Sequence, residues 1–211
     1  MSHVLTFDEK TAAVVCTEAA AVVRDGGVLA MLTDSLYGLG ANPFDGAAVR
    51  RVCAIKGREE GKPILVLIAA RSQLNGLVGP LPQAAVKLMD QFWPGPLTIV
   101  CPAAPGLSAM LTAGTGTIGV RLPAHPLLAQ LLRQTGPLTG TSANRAGMSP
   151  GRTAVEVERA LGSDVDLILD GGPSGGIVPS TVVDVTRGAA KLIREGPVSW
   201  QDVEKVLGRV V

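Results

Sequence analysis

Gly27-Val28-Leu29-Ala30-Met31-Leu32-Thr33-Asp34-Ser35-Leu36-Tyr37-Gly38-Leu39-Gly40 is the stretch on which the reading of this chain turns. Its first six residues form an apolar run with the length and composition of a buried strand. Hydroxyls, a carboxylate and a phenol then leave the strand end together, and Gly38 and Gly40 let the backbone turn. In open α/β sheets small ligands bind beyond the carboxyl ends of strands. A plain polar turn between strand and helix is the competing reading of the same residues.

Working outward, Thr6-Phe7-Asp8-Glu9 has capping-box spacing, and the Ala/Val-rich run to Arg24 predicts a helix closed by Gly26 and Gly27. Asp45 is placed to cap a helix ending near Lys56. Residues 64–69 are continuously apolar, as in a strand covered on both faces. Further helices are predicted over residues 82–92, 126–133, 153–162 and 199–208, and further strands over 97–101, 117–122, 138–141, 167–169, 181–185 and 191–194. Strands and helices interleave throughout, which predicts α/β layers with helices covering a mixed sheet. No repeat and no dividing linker interrupts the chain, so residues 1–211 are expected to form a single domain with its core at about 6–208 and no additional C-terminal domain.

The composition narrows the function. Apolar residues make up 46% and charged residues 18%, enough to bury a large core and to exclude global disorder. Aromatic residues are only 3%, too few for a stacking platform for single strands, and a net charge of +1 provides no bulk attraction for nucleic acid or membrane. Cys16, Cys53 and Cys101 lie far apart in apolar stretches and are expected to be small buried hydrophobes. No signal peptide or spanning segment is visible, so a cytoplasmic location is expected. His3, in a tail expected to fray, and His125 are the only histidines, which argues against a Ser-His-Asp hydrolase or a His-ligated zinc site.

Lys56-Gly57-Arg58-Glu59-Glu60-Gly61-Lys62 places three cations within seven residues. Lys56 continues the apolar stripe of Val49, Val52 and Cys53 and is therefore expected to point inward, where a cation calls for an anion; a snorkelling lysine is the alternative. Arg58 and Lys62 add a planar fork and a point charge, a combination suited to a polyphosphate. Thr139-Gly140-Thr141-Ser142-Ala143-Asn144-Arg145, Pro179-Ser180-Thr181 and Ile193-Arg194-Glu195-Gly196 put more hydroxyls and cations at strand junctions. Gly114, Gly116 and Gly119 fit G-x-G-x-x-G, but a strand follows where a dinucleotide site needs a helix. Gly172, Ser174 and Gly176 fit a nucleophile elbow, but Pro179 blocks the helix it needs and no histidine follows. A Walker A loop is absent.

The segments 33–40, Lys56-Gly57-Arg58, Lys62-Pro63, Phe92-Trp93-Pro94-Gly95-Pro96-Leu97-Thr98, Val120-Arg121-Leu122-Pro123, Ser142-Ala143-Asn144 and 193–196 resemble, in order and spacing, the YrdC-like family, from about Thr6 to Gly208. The resemblance implies a three-layer α/β fold with a twisted mixed sheet and a cationic concave face. It implies a nucleotidyltransferase that combines L-threonine, bicarbonate or CO2 and ATP into L-threonylcarbamoyl-adenylate, releasing pyrophosphate. That product serves N6-threonylcarbamoylation of adenosine 37 in tRNA, which links the chain to the tRNA threonylcarbamoyl-transferase complex. Lys56, Arg58, Ser142 and Asn144 match the family's catalytic K-x-R and S-x-N signatures. Arg58, Lys62, Thr117, Ser142 and Arg194 fall where the family holds ATP, and Ser35, Arg121, Thr141 and Ser180 where it holds threonine. Mg2+ is implied with ATP, without a metal held tightly by protein ligands. Leu32 and Glu59 stand where the family usually has proline, and Ser35 where it has threonine. Ser35 keeps the hydroxyl, which implies retained activity with looser amino-acid selection. A module binding double-stranded RNA or tRNA through the same cationic face is the alternative from a different class, and weak RNA binding would accompany it. A carbamoyl-transfer module of the hydrogenase-maturation type and the dihydroxybutanone-phosphate synthase fold are further readings, disfavoured by missing neighbouring domains and by the lack of an acidic metal-binding run.

Overall fold

The computed structural model describes residues 3–57, 63–175 and 178–208. The chain begins with β1 (His3–Thr6) and α1 (Ala12–Arg24). β2 (Leu29–Leu32) and β3 (Tyr37–Gly40) form an antiparallel pair, all eight residues buried. α2 (Gly46–Lys56) starts at Asp45, whose side chain accepts the Ala47 and Ala48 N–H groups, and ends at Gly57 in the left-handed conformation. Then come β4 (Val66–Leu67), α3 (Gln83–Phe92), β5 (Leu97–Pro102), α4 (Ala109–Thr112), β6 (Thr117–Arg121) and α5 (Pro126–Thr135). The last elements are β7 (Leu138–Thr139), β8 (Thr141–Ser142), α6 (Ala154–Leu161), β9 (Leu167–Asp170), β10 (Thr181–Asp184), β11 (Lys191–Arg194) and α7 (Trp200–Leu207).

The fold is α/β, as the interleaving predicts, and its strands divide between two mixed sheets, ordered β1-β9-β2-β3-β8 and β11-β10-β5-β6-β4-β7. The predicted strand at 138–141 crosses from one to the other. Leu138–Thr139 pairs with β4, while Thr141–Ser142 pairs with β3. The crossing point is Gly140, where a Cβ would lie 2.7 Å from Leu65 Cδ1 and from Leu67 Cγ, so any larger residue would force these side chains to shift. Thr139 clamps the same point: its Oγ1 donates to Leu39 O at 3.1 Å and accepts the Ala41 N–H at 2.9 Å.

The larger apolar cluster spans both sheets and α2, α3, α4, α6 and α7. A second joins α1 and α5 through Val15, Cys16, Ala19, Leu128, Leu131 and Leu132. Burial pushes the Cys16 and Cys101 thiols up, Cys101 to about 12, as for small hydrophobes. Cys53 is only half-buried, a departure from expectation that follows from its place at the edge of the α2 stripe.

Three local expectations are corrected. The capping-box spacing at Thr6 does not start a helix. Residues 3–6 pair with β9 instead, and Asp8 accepts the Lys10 and Thr11 N–H groups at 2.9 Å, so α1 begins at Ala12. His3 is accordingly not in a frayed tail but in β1, 2.9 Å from Glu18. Residues 37–40 form a strand and not a turn; two glycines and burial on both faces hide it from any alternating pattern. The capping motif at Thr153 does open α6: its Oγ1 accepts the Glu156 N–H at 3.2 Å.

Candidate functional site

The turn after β2 is built by Thr33. Its Oγ1 accepts the Ser35 and Leu36 N–H groups, both at 3.2 Å, and donates to Leu36 O at 2.7 Å. A hydroxyl that closes its own turn is a local alternative to further sheet pairing. The turn presents Ser35 to a cavity of about 740 Å3 lined by residues of both sheets.

Lys56 reaches the cavity from the end of α2, buried to 6% exposure, and so does follow the stripe of Val49 and Val52 inward. Its ammonium donates to Ser142 O at 2.7 Å, Ser142 Oγ at 3.1 Å and Asn144 Oδ1 at 2.8 Å. Ser142 Oγ in turn donates to Asn144 Oδ1 at 2.6 Å, and the amide nitrogen of Asn144 donates to the carbonyls of Arg145 and Met148. The Ala146 N–H closes the circuit on Lys56 O at 2.7 Å. A lysine and a Ser-x-Asn turn thus shape each other.

Arg121, at the end of β6, is 5% exposed. Its Nε donates to Gly95 O at 3.0 Å and its Nη2 pairs with the Asp34 carboxylate. Burial pushes this guanidinium below its usual value; Asp34 counters that shift and nearby Arg194 adds to it. The segment at 92–98 therefore supports the site from behind. It delivers the Gly95 carbonyl to Arg121, and its Pro96 carbonyl accepts the Thr181 N–H at 3.0 Å. Arg194 ends β11 and donates Nε and Nη2 to Ser180 O at 3.0 and 2.8 Å, and Nη2 to Ser180 Oγ at 3.3 Å. Close approach at Gly196 permits this, since a Cβ there would meet Pro179 O and Thr181 N at 2.5 Å. Burial lowers the Arg194 guanidinium as well. Thr117 shares a hydrogen bond with Thr115, their hydroxyls 2.8 Å apart.

The cavity brings together Ser35, Lys56, Thr117, Arg121, Thr141, Ser142, Asn144, Ser180 and Arg194, all of them predicted from the sequence. Arg58 and Lys62 lie outside the described residues. Two contributors escaped the sequence reading. Thr98 lines the cavity, its hydroxyl 2.7 Å from Ser180 Oγ; a polar residue inside the apolar run 97–101 was the available signal. Asp34 reads in the sequence only as part of its turn, and its partner lies 87 residues away. Among the described lining residues there are three cations and no Asp, Glu, His or Cys, so the cavity favours anions. Among the described residues no cluster of three or more His, Cys, Asp or Glu is placed to hold a metal.

An α/β domain of two mixed sheets around a cationic, hydroxyl-rich cavity is thus defined by the chain itself. The profile of the Sua5_yciO_yrdC family, described as "Telomere recombination", matches residues 21–196. The chain belongs to this family. It is 40% identical over 195 residues to a Bacillus subtilis protein named threonylcarbamoyl-AMP synthase, covering 92% of this chain and 56% of the relative. It is 38% identical over 190 residues to a putative threonylcarbamoyl-AMP synthase of Mycobacterium tuberculosis, covering 90% of this chain and 88% of the relative. The crystal structure of P. abyssi Sua5 complexed with L-threonine superposes with a TM-score of 0.87 at 34% identity, covering 99% of this chain and 60% of that one. The chain therefore spans little more than half the length of the B. subtilis relative. No helix among the described residues is long and apolar enough to cross a membrane.

Proposed function

We propose that this chain is a nucleotidyltransferase that makes L-threonylcarbamoyl-adenylate and pyrophosphate from L-threonine, bicarbonate or CO2 and ATP, the activity its relatives are named for. The observation that carries this reading is the single cavity in which Lys56, Arg121 and Arg194 meet a set of hydroxyls with no described carboxylate among them. Such a lining suits a triphosphate and the carboxylate of an amino acid held side by side.

In this reading the threonine amine takes up CO2 and loses a proton, giving a carbamate. A carbamate oxygen attacks the α-phosphorus of ATP, the bond to the β-phosphate oxygen breaks, and pyrophosphate leaves. No protein nucleophile is required, so scarce histidine and buried thiols are no obstacle. The protein's contribution is to position both reactants and to stabilise charge developing on phosphate. Arg121 takes the amino-acid carboxylate, with Ser35, Thr141 and Ser180 around the remainder of threonine. Arg58, Lys62, Thr117, Ser142 and Arg194 hold ATP, and Lys56 and Asn144 fix the Ser142 turn against the reacting groups. ATP would enter as its Mg2+ complex. The hydroxyls and carbonyls of the described lining would accommodate the water shell of the ion, and the ion would neutralise charge on the phosphates. The product, a mixed anhydride, passes its threonylcarbamoyl group to adenosine 37 of tRNA through the transferase complex, in the cytoplasm.

Incubation of the protein with ATP, bicarbonate and L-threonine, followed by mass spectrometry, tests the proposal. The carbamoyl adenylate and pyrophosphate are expected, and omission of threonine or bicarbonate should abolish both. No adenylate under complete conditions overturns the reading in favour of RNA binding without adenylate synthesis.

A further inference from the structure

The two arginines of the cavity have partners of different kinds. Arg194 hydrogen-bonds only to the neutral carbonyl and hydroxyl of Ser180 and forms no ion pair among the described residues. Arg121 is paired with the Asp34 carboxylate through Nη2 and with Gly95 O through Nε, which leaves Nη1 without a protein partner among the described residues. The two guanidinium groups feel each other, since Arg194 disfavours the charge on Arg121. Asp34 compensates that charge at one arginine and not at the other.

Asp34 is poorly served by the rest of the protein. Its Oδ1 is buried and accepts no hydrogen bond from the described residues. An orphaned buried carboxylate oxygen is costly, so stability alone does not account for the residue. With no backbone N–H or hydroxyl among the described residues sharing it, the negative charge acts on Arg121. The Thr33 turn makes this division of labour possible: it presents Ser35 to the cavity and the adjacent Asp34 to Arg121.

We propose that Asp34 is a specificity-determining residue that divides the cavity by charge, leaving a nearly neutral Arg121 subsite for a zwitterionic amino acid and an uncompensated Arg194 subsite for the triphosphate. The proposal rests on the two-substrate reading above. A zwitterion has no net charge and gains from Arg121 chiefly the geometry of its open N–H groups, which Asp34 leaves intact. A triphosphate carries several negative charges and is repelled by a carboxylate beside its binding group. Like-charge juxtaposition of this kind is how an interface rejects the wrong partner. Without Asp34, neither arginine is compensated by a carboxylate among the described residues.

The test titrates L-threonine calorimetrically into the wild-type chain, Asp34→Asn and Asp34→Glu at rising inorganic triphosphate. For the wild type and Asp34→Glu, threonine affinity is expected to change by less than about twofold. For Asp34→Asn, triphosphate is expected to compete and weaken the apparent threonine affinity by about tenfold or more. Threonine binding to Asp34→Asn that is as indifferent to triphosphate as in the wild type overturns the charge partition, as does an Asp34→Glu variant that behaves like the asparagine one. A wild-type chain with an intact thermal transition that fails to bind threonine overturns the amino-acid reading itself, and this proposal with it. Should Asp34→Asn lack a thermal transition, Asp34→Ser removes the same charge with a smaller side chain and is read in the same way.

Discussion

Lys56 Nζ lies 2.8 Å from Asn144 Oδ1 although 88 residues separate them, and the contact ties the end of α2 to the turn after β8. Truncation to alanine leaves Ser142 O and Asn144 Oδ1 without this donor. Lys56→Ala should therefore destabilise the fold by about 1–3 kcal/mol, read as a lower urea midpoint at unchanged slope, and should also slow adenylate formation. An unchanged midpoint would show that the contact has no structural weight.

Arg58 stands two residues beyond this contact in the sequence. Arg58→Ala is expected to cost about 2–4 kcal/mol of transition-state stabilisation, the size found for removing one preorganised donor. The assay is kcat/KM for adenylate formation; a wild-type value contradicts the assignment.

Gly140 is the point at which the chain changes sheets. In Gly140→Ala the new methyl would meet Leu65 and Leu67 at 2.7 Å, so a loss of about 1–3 kcal/mol is expected from overpacking. Thr141 and Ser142 follow directly, so activity should fall with stability. Denaturation midpoints and adenylate yield measured on the same preparation check both effects.

Tyr37 is fully buried, with its hydroxyl donating to Gly172 O at 2.7 Å, and burial followed by the Asp170 charge pushes the phenol well above its usual range. Tyr37→Phe keeps the ring and deletes that donor. About 1 kcal/mol of stability should be lost, while a wild-type melting temperature would show the bond to be dispensable.

Asp166 joins the residue before β2 to α2: its Oδ2 accepts the Val28 N–H at 2.6 Å and lies 2.9 Å from Arg51 Nη1. Burial alone would raise this carboxyl, but the hydrogen bonds from Arg51 and Val28 outweigh it and the net direction is down. A carboxyl held lower in the folded than in the unfolded chain stabilises the fold above its ordinary value near ~3.9 and loses that contribution as pH falls through the folded value. Asp166→Asn should be less stable than wild type at neutral pH, and the difference should shrink on acidification below about pH 4. Urea midpoints across that range test the sign.

Much of the fold was legible where the apolar pattern was strong. Asp45, Thr153 and Ser199 capped the helices they were expected to cap, and residues 97–101 and 117–122 gave strands within a residue or so. Residues 3–6 were not legible, because their strand character comes from pairing with Leu167–Asp170, more than 160 positions on. The same holds for the splitting of 138–141, whose two halves pair with β4 and β3 far back in the chain. At the site, hydroxyls and cations at strand ends pointed to their positions, whereas the pairings Asp34–Arg121 and Thr98–Ser180 are tertiary contacts that leave no spacing in the sequence.

A crystal structure of the chain soaked with L-threonine and a non-hydrolysable ATP analogue bears most directly on whether one cavity holds both reactants. The account predicts the threonine carboxylate within hydrogen-bonding distance of Arg121 and the triphosphate against Arg194, with both ligands between the two sheets. A triphosphate seated on Arg121, or the two ligands on separate surfaces, would contradict it.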